Sequence, residues 1–141
     1  MKVTISIRYS DDHLVDAELM RHGPIGMPGT CRIEVRSSKC DDIIIENDDF
    51  FECLVDLRRL LERDGAQVLC QGARPDVFPS PMMRQSGCST AYILRMGRPA
   101  ASGDIVHIFD PADANVVGSV DEQEAYRQAW FASLGHSGSS T

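Results

Sequence analysis

The first 47 residues carry hydrophobic patterns that are typical of β-strands. Every second residue is apolar over residues 3–8 and again over residues 30–36, and residues 43–45 are three consecutive isoleucines. Successive side chains of a strand point to opposite faces, so this alternation predicts half-buried strands. Residues 9–29 contain clusters of Asp, Gly and Pro that predict an irregular segment, with a short strand or helical turn left open around residues 14–19. We expect the three strands to form an antiparallel meander.

A first helix is predicted over residues 48–63, where apolar residues recur at helical spacing. We expect Asn47 or Asp48 to cap its N-terminus, because a side-chain oxygen there accepts a hydrogen bond from a free backbone N–H group. Gly65 is the expected end of the helix, since glycine readily adopts the left-handed conformation found after many helices.

A second helix is predicted to begin near Ser119. Ser119 and Glu122 have the spacing of a capping box, in which each side chain bonds the backbone N–H group of the other residue. The pattern predicts that the helix ends at Gly135. The residues expected to face inward are Ala125, Tyr126, Ala129, Trp130 and Leu134.

The order of the predicted elements indicates the fold class. Further strands are predicted over residues 66–70, 90–96 and 105–109, and a short helical turn over residues 81–86. We expect an α+β fold with a mostly antiparallel sheet of about six strands and two main helices packed on it. The length fits a single domain over residues 1–135, and the composition of residues 136–141 predicts a disordered tail.

Charge and cysteine content narrow the possible functions. The 141 residues carry a formal net charge of −7, with an isoelectric point near 4.9. This balance disfavours nucleic acid as a partner, because phosphate binding requires a basic surface. No apolar run approaches the roughly 20 residues of a membrane helix. We therefore expect no membrane association. The five cysteines are odd in number and form no CxxC motif, so we expect a reducing compartment, the cytoplasm.

The candidate motifs for catalysis and metal binding are weak. Asp104, His107 and Asp110 follow at three-residue steps in a predicted strand, which puts the histidine on the face opposite the two carboxylates. We expect His107 to be a hydrogen-bonded core residue. Cys88, within residues 86–89, has no histidine near it in sequence, although a Cys–His pair formed across the fold stays open. We assign no catalytic, metal-binding or cofactor-binding residue.

Acidic residues cluster between the third predicted strand and the first helix. Positions 41–52 contain no basic residue. Such a patch can steer a protein onto a cationic partner, although acidic residues at a helix start are also explained by solvation and the helix dipole. The candidate partner-binding residues in this cluster are Asp41, Asp42, Glu46, Asp48, Asp49 and Glu52.

A second candidate region is the proline-rich loop that follows the strand predicted at 66–70. Arginine, methionine and aromatic residues are enriched at protein interfaces. In the alternative interpretation, Val77 and Phe78 fill the core, and Arg74 pairs locally with Asp76. The candidate partner-binding residues of this loop are Arg74, Asp76, Phe78, Met82 and Arg84.

Residues 50–134 resemble a known family. The residues that carry the resemblance are Leu69-Cys70-x-Gly72-Ala73-Arg74-x-Asp76-Val77-Phe78-Pro79-Ser80-x-Met82-x-Arg84, Ala91-Tyr92-Ile93-Leu94, Asp104-Ile105-Val106-His107-Ile108-Phe109-Asp110 and Val120-Asp121-Glu122-Gln123. The pattern resembles small single-domain bacterial proteins encoded beside Rhs-type and other polymorphic toxins. The resemblance implies a cytosolic immunity protein, and not an enzyme, that binds one cognate toxin delivered by contact or by type VI secretion.

Two other classes of function stay open. One is a small-ligand or anion-binding module, or a small enzyme, built around Arg74, Arg84 and Arg95. The other is a structural subunit whose exposed methionine and aromatic side chains form a homodimer. The sequence leaves open whether the protein is a monomer or a dimer.

Overall fold

The protein has an α+β fold in which two antiparallel sheets pack with helices. The computed structural model describes residues 2–26, 29–38 and 41–139. Within these residues the strands are Lys2–Arg8 (β1), Leu14–Ile25 (β2), Thr30–Ser37 (β3), Ile43–Asn47 (β4), Gln67–Val68 (β5), Val77–Phe78 (β6), Thr90–Ile93 (β7) and Ile105–His107 (β8). The α-helices are Phe50–Glu62 (α1), Pro81–Gln85 (α2) and Val120–Ser139 (α3). The predicted fold class is confirmed.

The larger sheet has five strands in the order β4-β3-β2-β1-β5. Its inner face carries the alternating apolar residues of the first three strands, including Ile7, Leu19 and Ile33, which are fully buried. Helix α1 packs on this face. The opposite face is polar and carries ion pairs such as Lys2–Glu18 at 3.4 Å. The sheet therefore follows the pattern of one buried and one solvated face.

Strand β2 corrects the prediction that residues 9–29 are irregular. It runs from Leu14 to Ile25 and pairs with both β1 and β3. The meander therefore contains a strand of 12 residues between the first two predicted ones, where the sequence left open only a short strand or helical turn around residues 14–19. Met27 and Pro28, which fall in the same segment, lie outside the described residues, as do Cys40 and the last two residues of the predicted tail.

Helix α1 confirms the first predicted helix, with a different cap. Asp49 occupies the N-cap, and its side chain accepts a hydrogen bond from the backbone N–H of Glu52 at 2.8 Å. The predicted caps, Asn47 and Asp48, precede that position. Gly65 has a φ of +71° just beyond the helix, in agreement with the predicted stop.

The smaller sheet has three short strands in the order β6-β7-β8. The sequence predicted one sheet of about six strands, whereas the described residues form two sheets. The strands predicted at 66–70, 90–96 and 105–109 are also shorter than expected, at two, four and three residues. Part of the backbone that was assigned to them forms turns and single hydrogen bonds beyond the strand ends, such as Leu69 N–H to the Ser6 carbonyl at 2.8 Å.

Helix α3 begins with the predicted capping box. The Ser119 backbone N–H donates to Glu122 Oε1 at 2.8 Å, and the Glu122 N–H donates to Ser119 Oγ at 3.0 Å. The prediction that Ala125 and Ala129 face inward is wrong, because both are exposed. The predicted end at Gly135 is also wrong, and the helix includes residues 136–139 of the predicted disordered tail. One glycine in an exposed helix costs only about 1 kcal/mol, which is too little to fix the end of a helix.

One cluster of buried side chains joins the two sheets, from Ile5 and Leu19 in the larger sheet to Val77 and Ile108 in and beside the smaller one.

Among the helices described here, none is long and apolar enough to cross a membrane.

Candidate partner-binding groove

An open groove of about 410 Å³ lies between α3, α2 and the strands of the smaller sheet. Aromatic side chains form much of its lining, together with Leu94, Ala100 and two prolines. The two charged side chains in the lining are Arg84 and Arg127. The aromatic lining residues are Phe78, Tyr92, Trp130 and Phe131.

The wall on the side of α2 is held by local backbone chemistry. Ser80 caps α2, and its Oγ accepts a hydrogen bond from the Met83 N–H at 3.2 Å. Pro81 occupies the first turn of the helix, where a missing N–H group costs nothing. Phe78 ends β6 and contacts the Phe51 ring edge-on, with 5.3 Å between the ring centroids. The proline-rich loop that contains Phe78 therefore packs against α1.

The opposite wall is helix α3, and hydrogen bonds tie it to the loop after β7. Trp130 Nε1 donates to the Arg98 carbonyl at 2.9 Å. The Gly97 N–H donates to Ser133 Oγ at 2.8 Å, and the Tyr126 hydroxyl donates to the Leu94 carbonyl at 2.8 Å. These bonds fix α3 against the loop after β7, and Phe131 is 66% exposed at the rim of the groove.

Two guanidinium groups stack on the Phe78 ring. The Cζ atoms of Arg84 and Arg127 lie 5.4 and 5.0 Å from the ring centroid, within cation–π range. Arg84 also donates to Asp49 at 2.9 Å and to Glu52 at 3.0 Å. Burial, the largest influence, lowers the pKa of Arg84, but the two carboxylates together outweigh it and raise that pKa. Hydrogen bonds from Arg127 to Glu124 raise the pKa of Arg127.

Behind the groove, a buried arginine holds the surrounding segments together. Arg58 is 2% exposed and donates to three backbone carbonyls and to Gln123 Oε1, the last at 2.7 Å. Burial lowers the pKa of Arg58. Gln123 in turn donates to the carbonyls of Gly72, Arg74 and Val77.

Sequence reasoning missed this hub. Arg58 lies four residues after Leu54 and three residues before Leu61, both of which are buried, and that helical spacing was the available signal for its burial.

The structure brings only part of the predicted loop residues to the groove. Phe78 and Arg84 line it, and Met82, which is 77% exposed, lies beside it. Arg74 and Asp76 instead form a two-bonded ion pair at 2.9 and 2.8 Å, as the alternative interpretation expected. Val77 is buried in the core.

The predicted acidic residues separate into two groups. Asp41, Asp42, Glu46 and Asp48 are exposed, and Asp42 pairs with Arg36 at 3.5 Å. Asp49 is only 3% exposed and caps α1, so its assignment as a residue that touches a partner is corrected to a structural role. Glu52 is half-buried in its ion pair with Arg84.

The three arginines of the alternative anion site do not converge on one place. Arg74 pairs with Asp76 and Arg95 pairs with Asp104 at 3.1 Å. Of the three, Arg84 alone lines the groove. The arginine that joins it there is Arg127 from α3, which lies 43 residues further along the chain and was not singled out in the sequence.

The buried cysteines are poor candidates for nucleophiles. Burial raises the pKa of Cys53 and of Cys88 to about 12, and that of Cys70 to about 11. Such thiols stay protonated near neutral pH, whereas catalysis needs the thiolate. His107 is half-buried rather than a core residue. Among the described side chains, no group of three His, Cys, Asp or Glu could hold a metal ion.

Comparison with protein-family models gives no match, and comparison with curated proteins gives no significant match. The described residues form a small α+β protein with an open groove that is lined by aromatic residues and two arginines. Its function is inferred from that groove.

Proposed function

We propose that this protein is a cytoplasmic immunity protein that binds one cognate polymorphic toxin and neutralises it without catalysis. The observation that carries the proposal is the groove between α2 and α3, with exposed Met82 and Phe131 next to it. Aromatic, methionine and arginine side chains are enriched at protein interfaces, and exposed apolar patches of this kind mark interaction sites.

The rigidity of the groove supports a binding role. Its walls are fixed by the side-chain hydrogen bonds of Tyr126 and Trp130 and by the Arg58–Gln123 hub behind it. A surface that is already ordered loses little conformational entropy on association, so more of the contact energy appears as affinity.

The charge distribution supports a cationic toxin surface as the partner. The chain carries a net charge of −7, and Asp41, Asp42, Glu46 and Asp48 are exposed around β4. Surface charges of this kind mainly accelerate encounter and reject wrong partners. We assign these four residues to steering, and Phe78, Met82 and Arg84 to contact with the toxin.

The proposal is tested by expressing the open reading frame next to this gene in a bacterial host, with and without this protein. We expect the neighbouring protein to stop growth, this protein to restore it, and the two proteins to form a complex of equal stoichiometry in light scattering. Unchanged toxicity together with the absence of a complex would refute the proposal.

A second candidate function is a small-ligand module. The groove volume of about 410 Å³ lies within the range of small-molecule sites, roughly 300–1,000 Å³, and two arginines line it. Native mass spectrometry of the protein purified from its own host distinguishes the two. A bound small molecule of constant mass would favour the ligand module, and a bound protein chain would favour the immunity protein.

A further inference from the structure

The groove offers its occupant a surface whose charged groups are arginines. The carboxylates that pair with Arg84 and Arg127 do not belong to the lining. Asp49 is buried beneath Arg84, and Glu124 belongs to the neighbouring turn of α3 and pairs with Arg127 at 2.8 Å. An occupant therefore meets guanidinium groups before it meets carboxylates. Because three carboxylates, Asp49, Glu52 and Glu124, bond the two arginines, recognition of an anion here rests on N–H donors and not on a net positive charge.

Both arginines have N–H groups that do not take part in their hydrogen bonds to carboxylates. Arg84 uses Nη1 for Asp49 and Glu52, and Arg127 uses Nε and Nη2 for Glu124. Within the described chain, Nε and Nη2 of Arg84 and Nη1 of Arg127 carry no such bond. A guanidinium group has five N–H donors arranged to match a carboxylate.

The two guanidinium groups share the Phe78 ring, and their like charges repel each other. Both lie within 5.4 Å of the Phe78 centroid, and the charge of Arg84 works to lower the pKa of Arg127. An anion that bridges them would relieve this repulsion, while the aromatic walls would accept an apolar group attached to the anion.

We propose that the groove binds an acidic, apolar segment of the partner protein: an apolar side chain enters between Phe78 and Trp130, and an adjacent carboxylate bridges Arg84 and Arg127. This inference rests on the proposed function, because it takes the partner to be the toxin. It adds the chemistry of the toxin segment and gives Arg127 a role in selecting it.

Trp130 provides a direct readout, because it is the single tryptophan of the chain and lines the groove. The probe is the peptide acetyl-Glu-Leu-Phe-Glu-amide, and its control is acetyl-Gln-Leu-Phe-Gln-amide. We expect a saturable change in tryptophan fluorescence, with the acidic peptide bound about fivefold more tightly at low salt and the difference reduced in 0.5 M NaCl. Equal affinities for the two peptides, or no saturable change, would overturn the inference.

Variants of single arginines test the bridging role. Arg127→Gln is expected to abolish the preference for the acidic peptide while leaving binding of the neutral peptide intact. Arg95→Gln is the matched control, because Arg95 also pairs with a carboxylate but does not line the groove, and it should keep the preference. A preference that survives Arg127→Gln contradicts the inference.

The outcome for the groove is separate from the outcome for the proposed function. If the peptides are not distinguished while the wild-type protein still protects against the toxin, the inference fails and the function stands. If the peptides are distinguished but co-expression gives no protection, the proposed function fails, and with it the identity of the partner as the toxin.

Discussion

At the scale of single residues, the arginine with the largest structural role is the one hidden from solvent. Arg58 donates to the carbonyls of Gly72, Ala73 and Gly118 and to Gln123. Burial of a charge is costly, and these hydrogen bonds offset that cost because they replace the bonds to water. Arg58 therefore joins α1, the loop before β6 and the start of α3.

Replacing Arg58 with alanine should lower the free energy of unfolding by about 3 kcal/mol, because the Gly118 carbonyl and Gln123 Oε1 would lose their donor and the buried side chain would leave a cavity. Arg59→Ala is the matched control, since Arg59 is exposed and its pair with Asp121 is long, at 3.8 Å. That control should change stability by no more than about 0.5 kcal/mol. Urea denaturation measures both values, and similar losses for the two variants would contradict the role of Arg58.

The burial of Arg58 was predictable, but its partners were not. Its position among Leu54, Leu57 and Leu61 indicates a core-facing side chain. The carbonyls that it binds belong to segments 14 to 60 residues away in the chain, and nothing local in the sequence specifies those contacts. The same reason explains why Asp49 was taken for an exposed residue, since the arginine that covers it is 35 residues away.

At the scale of elements, periodicity predicted α1 well, was wrong on the inward face and the end of α3, and did not predict the full length of β2. In β2, apolar residues do alternate with polar ones, but Ala17 is small and Arg21 ends the inward-facing row. Arg21 packs against the Phe50 and Phe109 rings, with its Cζ 5.9 and 5.5 Å from the centroids. A charged residue at an inward position weakened the strand signal, although its long side chain can cover apolar surface.

The connection between β5 and β6 depends on a glycine that leaves no room for a side chain. A Cβ atom on Gly72 would lie 2.5 Å from Leu54 Cδ2 and 2.9 Å from Ile108 Cβ. This close approach lets the Gly72 N–H donate to the Ile108 carbonyl at 2.8 Å. The segment that leads to the groove is thereby packed directly against the smaller sheet.

Gly72→Ala should lower the free energy of unfolding by about 2 kcal/mol, because the added methyl group overpacks the core. Gly103→Ala is the control, since a Cβ atom there would meet nothing within 4 Å, and it should change stability by less than about 0.5 kcal/mol. Thermal denaturation of the two variants compares them. Equal midpoints would contradict this prediction, because they would show that the core around Gly72 accommodates the added methyl group.

At the scale of the whole molecule, the groove depends on contacts that are distant in sequence. The sequence identified Phe78, Met82 and Arg84 as interface-type residues, and it identified Trp130 only as part of a helix. The groove needs β6, α2, β7 and α3 together, and Phe78 and Trp130 are 52 residues apart in the chain. Periodicity cannot bring such residues together, because it reports only which face of an element is buried.

The central claim is that this groove binds the toxin, and the affinity of a rim variant tests it most directly. Phe131→Ala removes a side chain that is 66% exposed, and Leu14→Ala removes one that is 59% exposed in the larger sheet. Both variants should fold normally, because neither side chain belongs to the buried core.

The decisive measurement is isothermal titration calorimetry of each variant with the proposed partner, the protein encoded by the open reading frame next to this gene. We predict that Phe131→Ala weakens the complex at least about tenfold, or roughly 1.4 kcal/mol, while Leu14→Ala binds like the wild type. Equal affinities for the wild type and Phe131→Ala, with both proteins folded, would show that the toxin binds elsewhere.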